Sequence, residues 1–128
     1  MSDRQAITAP EAPEAIGPYS HAVRHGDVLY CSGALPVDPA SGALEDASPA
    51  AATERCLRNL AAVCEAAGTE LRHALRLTVY TTELERFAEI NEAYAGFFPS
   101  EPPARVTIGA AALPKGALVE IDAVVAIP

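Results

Sequence analysis

Arg105 and Glu120 are the pair of residues whose types and surroundings could do chemistry together. Arg105 opens the alternating run Arg105-Val-Thr-Ile-Gly109 just after Pro103-Ala104, and Glu120 interrupts the most apolar run of the chain, Leu118 to Ile127. A guanidinium presents a planar fork of donors that grips a carboxylate at two points. A carboxylate in apolar surroundings can take and return a proton. At the edge of one pocket, the two would bind a small carboxylic acid and move a proton on it. Each also has a plainer reading, Arg105 as a surface strand end and Glu120 with Asp122 as the solvent face of a half-buried strand.

The elements that must position these groups are legible from periodicity. Val106, Ile108 and Ala110 alternate with Arg105, Thr107 and Gly109. After a Leu113-Pro-Lys-Gly116 turn, Val119, Ile121, Ala123, Val125 and Ile127 share one face, with Leu118, Glu120, Asp122, Val124 and Ala126 on the other. The period of two predicts strands, and the short connection predicts an antiparallel hairpin. Upstream, residues 1–15 read as an extended Pro/Ala-rich arm, and Ile16-Gly-Pro-Tyr-Ser20 as a turn. Ser20–Arg24 and Val28–Ser32 read as strands joined at His25-Gly-Asp27. Gly33 permits close backbone approach by a ligand or marks a bulge.

Ser48-Pro49 predicts a helix start. Cys56, Leu57, Leu60, Val63, Cys64 and Ala67 form its core stripe, Gly68 its stop, and Glu54, Arg55, Arg58 and Glu65 its solvated face. Ala74–Thr81 alternates as a further strand, and Thr82-Glu-Leu-Glu85 has capping-box spacing for a second helix. That helix carries Phe87, Ile90, Tyr94 and Phe97/Phe98 on its apolar stripe, with Asn91 among them. A carboxamide there must find hydrogen bonds, either by tying down a loop or by reaching into a polar site.

The order β-β-α-β-α-β-β is an α+β arrangement, a mixed sheet with two helices on one face. No sequence is left to cover the other face, so self-association is the physical inference. The 128 residues suit one domain, and half are apolar with no Trp, so the core is built of small side chains. Nine basic against seventeen acidic residues give a net charge of −8, which argues against nucleic-acid or membrane surfaces as partners. Cys31, Cys56 and Cys64 lack metal-ligand spacing to any His and read as buried reduced thiols, consistent with a cytoplasmic protein. His25 and His73 are expected in solvent, and a place near the cleft is only the lesser of the readings for His21, which follows Tyr19-Ser20.

The chain resembles the reactive intermediate deaminase family (RidA, YjgF-like), of the arginine-bearing type. The resemblance rests on Ile16-Gly-Pro-Tyr-Ser20, Ser32-Gly33, Phe87-Ala-Glu-Ile-Asn91 with Tyr94 and Phe97-Phe98, Pro103-Ala-Arg105, and Leu113-Pro-Lys-Gly-Ala-Leu-Val-Glu-Ile121, in order from Ile16 to Ile127. It implies a chorismate-mutase-like subunit, a homotrimer with sites between subunits, and hydrolysis of 2-imino acids or their enamines to 2-keto acids and ammonia. It further implies that Arg105 binds the substrate carboxylate and Glu120 activates water. Tyr19, Ser32, Gly33 and Asn91 would line the cleft, with no metal or organic cofactor. Thr107 stands where many relatives have Cys. The short segment between Phe98 and Arg105 looks more like the branch acting on 3-aminoacrylate. A non-catalytic carboxylate-binding trimer and a ribonuclease are the further alternatives, the last disfavoured by the acidic charge.

Overall fold

The computed structural model describes residues 4–128. Its strands are β1 (Arg4–Ile7), β2 (Ala22–His25), β3 (Val28–Ala34), β4 (Ala74–Thr81), β5 (Ala104–Gly109) and β6 (Val119–Ala126), with helices α1 (Pro49–Ala66) and α2 (Phe87–Ala95). They form a six-stranded mixed sheet in the order β1-β2-β3-β6-β4-β5 with both helices on one face, as the α+β reading expected. The arm contains a strand that was not expected. β1 pairs antiparallel with β2, Ile7 opposite Ala22, and buries Ile7 in the core. The polar run Arg4-Gln5-Ala6 hides this edge strand from a pattern search, because only one of its side chains faces inward.

The expected hairpin between the last two strands does not form. β5 pairs parallel with β4 at the sheet edge, and β6 lies between β3 and β4, antiparallel to both. α2 supplies the crossover that a parallel β4–β5 pair requires. β6 takes the centre because its inward side chains, Val119, Ile121, Ala123 and Val125, are all buried, and a central strand satisfies the backbone groups along both its edges.

α1 begins as predicted. Ser48 accepts a hydrogen bond from the Ala51 N–H at 3.1 Å, with Pro49 in the first turn. It ends where Gly68 takes φ +82° and the Thr69 and Gly68 N–H groups close on the Cys64 and Glu65 carbonyls. Leu57 and Leu60 are fully buried beneath the sheet, each worth about 1.5–3 kcal/mol. Arg55 departs from its expected solvated place, half-buried with Glu45 at 3.8 Å. All three cysteines are buried and free.

The capping box before α2 is not used. The Thr81 hydroxyl takes the Glu83 N–H, Leu84–Arg86 makes a 3-10 turn, and α2 begins without a side-chain cap. The open sheet face leaves Tyr30, Val106 and Ile108 at 52, 44 and 44% exposure, an uncovered apolar patch on a short chain.

Candidate active site

Arg105 lies near the start of β5, opposite Leu77 of β4, and so points to the helix face of the sheet. Its guanidinium carbon stands 4.8 Å from the Tyr94 ring centroid and 5.4 Å from that of Phe87, both from α2. Stacking on two rings holds the fork in place while leaving its edge free. No carboxylate lies within 4 Å of it among the described residues. On the same two elements three buried polar atoms have no partner, Asn91 Oδ1, Tyr94 Oη and Thr107 Oγ1. Thr107 follows Arg105 by two residues on the same strand face, and Asn91 precedes Tyr94 by three on the same helix face. Burial pushes the Tyr94 phenol pKa up, and the Arg105 charge partly offsets it. A cation without an internal anion, on elements that also carry unpartnered polar atoms, suits a small anion that offers and accepts hydrogen bonds.

Glu120 occupies a second locus. With Ile16, Tyr19, Ser32, Gly33 and Pro114 it lines a cleft of about 440 Å³. The Ser32 hydroxyl donates to the Ser20 carbonyl at 2.6 Å and the Ser32 N–H donates to the His21 carbonyl at 3.0 Å, which fixes the turn carrying Tyr19. The Tyr19 hydroxyl accepts from the Ile16 N–H at 3.1 Å and keeps its own proton to donate. Burial, and then the neighbouring Asp122 charge, raise the Glu120 carboxyl above its usual range. Such a group is a stronger base than a solvated carboxylate.

The two loci do not meet within one subunit. Glu120 pairs with Tyr80, and Tyr80 with Ile108, so Glu120 shares the open face with Ile108 while Arg105 is on the helix face. Within one subunit Arg105 and Glu120 therefore do not edge a common pocket, and a pocket holding both would have to be formed between subunits. Period-two parity and two strand pairings put them on opposite sides of the sheet. Tyr19, Ser32, Gly33 and Glu120 come together, and so do Asn91, Arg105 and Thr107. A larger cavity of about 490 Å³ under residues 10–19 shares Tyr19, Ser32 and Gly33 but is lined by neither Glu120 nor Arg105.

Residues 9–127 match the family model described as Endoribonuclease L-PSP. The chain belongs to this family, the RidA/YjgF family. Over 123 residues it is 47% identical to "RutC family protein y4sK" of Sinorhizobium fredii, covering 96% of this chain and 98% of that one. It is 39% identical over 121 residues to the human protein named 2-iminobutanoate/2-iminopropanoate deaminase, covering 94% and 88%. The crystal structure of RidA from the Antarctic bacterium Psychrobacter sp. PAMC 21119 superposes with a TM-score of 0.91 at 41% identity, covering 96% and 99%. The subunit has the chorismate-mutase-like fold of these RidA proteins.

Two residues of this RidA/YjgF-family site escaped the sequence reading. Phe87 and Tyr94 looked like core stripe, yet Phe87 is 38% exposed and both rings carry Arg105. The available signal was Asn91 on the same stripe, since a polar residue there marks a face that is not wholly core. His21 proves structural. Its Nδ1 accepts from the Ala9 N–H at 2.9 Å, and its Nε2 meets the Pro13 carbonyl at 2.8 Å, pinning the N-terminal segment. His25 is exposed, and His73 is half-buried with Nε2 3.9 Å from Glu70. Among the described residues no group of three or more His, Cys, Asp or Glu side chains is placed to hold a metal ion, and no helix is long and apolar enough to cross a membrane.

Gly33 is where the RidA/YjgF-family backbone meets its acid. A Cβ built there would stand 3.0 Å from Glu120 Cδ and collide with Oε2. Gly33→Ala is expected to push the carboxylate out of place and lower kcat by roughly tenfold or more. The melting temperature should move little, since Gly33 has no positive φ. Steady-state kinetics with a thermal melt would check this, and an unchanged kcat would remove the Gly33–Glu120 contact from the site.

Proposed function

We propose that this protein is an imine/enamine deaminase, hydrolysing small 2-imino acids such as 2-iminobutanoate and 2-iminopropanoate to 2-keto acids and ammonia. It would act as a cytoplasmic homotrimer of one-domain subunits with sites between them. The observation that carries this reading is Arg105, a stacked guanidinium without an internal anion, on elements that also carry three unpartnered polar atoms. The exposed apolar face and the split between the Arg105 and Glu120 loci support assembly, because a neighbouring subunit can cover the first and join the second. The name of the human relative supports the substrate class, and three buried reduced thiols suit a reducing compartment.

In this reading Arg105 of one subunit grips the substrate carboxylate in two places, with Asn91 and Thr107 completing its hydrogen bonds. Glu120 of the adjoining subunit takes a proton from water as the water oxygen bonds to C2, and returns it to nitrogen. The carbinolamine hydroxyl then gives its proton, by way of Glu120, to the nitrogen as the C2–N bond breaks, so that ammonia leaves and the C2 oxygen becomes the keto group. An enamine first takes a proton at carbon and gives one up from nitrogen to become the imine. Tyr19 and Ser32 orient the water. No cofactor is required, since imines already hydrolyse in water and positioning supplies the acceleration.

A second substrate, 3-aminoacrylate, fits the same clamp and is favoured by the short segment 99–104 leading to Arg105. A carboxylate binder without catalysis would have no use for Glu120 at the cleft. A ribonuclease would need a basic face, which a net charge of −8 disfavours. The test couples a threonine dehydratase to the purified protein, with semicarbazide trapping free imine. Faster ammonia and 2-ketobutyrate release with less semicarbazone is expected. No effect there or on 3-aminoacrylate would overturn the deaminase reading.

A further inference from the structure

Glu120 is not alone on its strand face. Asp122 lies two residues along β6 and points to the same side, and the two half-buried carboxylates repel. Tyr80 of β4 is the cross-strand partner of Glu120, yet its hydroxyl donates to Asp122 Oδ2 at 2.9 Å, a diagonal bond past its own partner. A phenol donating to a carboxylate stabilises the ionised form of that carboxylate and not of its neighbour. We propose that Tyr80 and Asp122 are positioning residues for Glu120: the phenol ties Asp122 in place two residues along the strand, and the carboxylate so held makes Glu120 the group that takes up the proton. This rests on the deaminase reading for its catalytic consequence, though not for the proton assignment itself.

The other groups facing the pair do not compete for this role. From β4 come Thr78, opposite Asp122, and Arg76, which is exposed farther along the strand. From β3 comes the Ser32 hydroxyl, already bonded to Ser20, and from the loop before β2 the Tyr19 phenol. Behind the strand is the buried Cys56 thiol, raised by burial and by the charges of Glu120 and Asp46, with Arg55 opposing them. In the proposed trimer, Arg105 of the adjoining subunit draws Glu120 down when the site is empty, and substrate carboxylate cancels much of that pull. The Tyr80 phenol is itself raised, first by its bond to Asp122, so it stays protonated and donating throughout the neutral range.

The consequence is a directional pH dependence. A base with a raised pKa loses activity as pH falls through that pKa, so the acid limb of kcat lies higher than for an ordinary carboxylate. Asp122→Asn removes the repulsion, so the limb moves to lower pH and Glu120 becomes a weaker base. A fall in kcat at neutral pH of roughly three- to tenfold is expected, with KM little changed. Tyr80→Phe frees the Asp122 side chain from its place beside Glu120, so the Glu120 titration moves down.

The experiment is carbon-13 NMR titration of the side-chain carboxyls in the full chain. Glu120 is assigned by Glu120→Gln and Asp122 by Asp122→Asn, alongside pH–kcat profiles and melting curves for each variant. A lower Glu120 midpoint in both Asp122→Asn and Tyr80→Phe supports the proposal. A Glu120 midpoint unmoved in either variant overturns it. Should Asp122→Asn fail to fold, Tyr80→Phe decides alone, because it removes one hydroxyl from a half-buried ring. If the titrations behave as described and no imine is hydrolysed, the proton assignment stands and the deaminase reading is what fails.

Discussion

Arg105→Lys is expected to lower kcat/KM on a 2-imino acid by roughly 10²–10³-fold while leaving the melting temperature nearly unchanged. Lysine keeps the charge and loses three things: the planar fork, the two parallel hydrogen bonds to a carboxylate, and the stacking on Tyr94 and Phe87 that holds the head in place. A flexible ammonium would sample many positions above the rings, so substrate would be held less tightly and its C2 less accurately. The stability of the subunit should not follow, because the guanidinium has no carboxylate partner to lose. Steady-state kinetics and a thermal melt on the same preparation separate the two effects. Turnover near that of the parent chain would remove Arg105 from its role as carboxylate clamp. A lower melting temperature in step with lost activity would show that the arginine is a packing residue.

Mixing two inactive variants is expected to restore activity. Arg105→Ala and Glu120→Ala should each be dead alone, since each removes one locus from every site. Unfolded together in equal amounts and refolded, they would form trimers in which some sites draw Arg105 from one subunit and Glu120 from the next. Random assortment makes about one site in four complete, so about a quarter of the parent specific activity should return. A site built within one subunit gives a different result, because no mixed trimer would then hold both groups in one chain. Absence of recovery, with mass measurement confirming mixed trimers, would sink the shared-site arrangement. The physical basis is parity alone. Arg105 pairs with Leu77, which is fully buried against the helices, whereas Glu120 pairs with Tyr80 on the open face.

Much of the subunit was legible along the chain because its signals are local. Ser48-Pro49 and Gly68 bound α1 through cap geometry that involves only nearby backbone groups. The alternation Val119, Ile121, Ala123, Val125 gave β6 its two faces, and the structure keeps that assignment residue by residue. β1 was missed because a strand of four residues with one buried side chain carries almost no pattern. The capping box at Thr82–Glu85 failed for a different reason. Its motif was present, but the Thr82 N–H that Glu85 would take donates instead to the Leu118 carbonyl at 3.2 Å.

The sequence by itself determined the face of its own element that each candidate residue occupies. Arg105 shares a strand face with Thr107, Glu120 shares one with Asp122, and Asn91 lies on the stripe of Phe87 and Tyr94, since periods of 2 and 3.6 follow from backbone geometry. Only the tertiary structure decided how those faces are arranged relative to one another. Strand partners are chosen by burial summed over the whole sheet, so β6 went to the centre and β5 to the edge beside β4, although the two are consecutive strands joined by residues 110–118. That choice set Arg105 against the rings of α2 and Glu120 on the opposite side with Tyr80 and Gly33. Pairing is a contact between distant parts of the chain, and no local period records it.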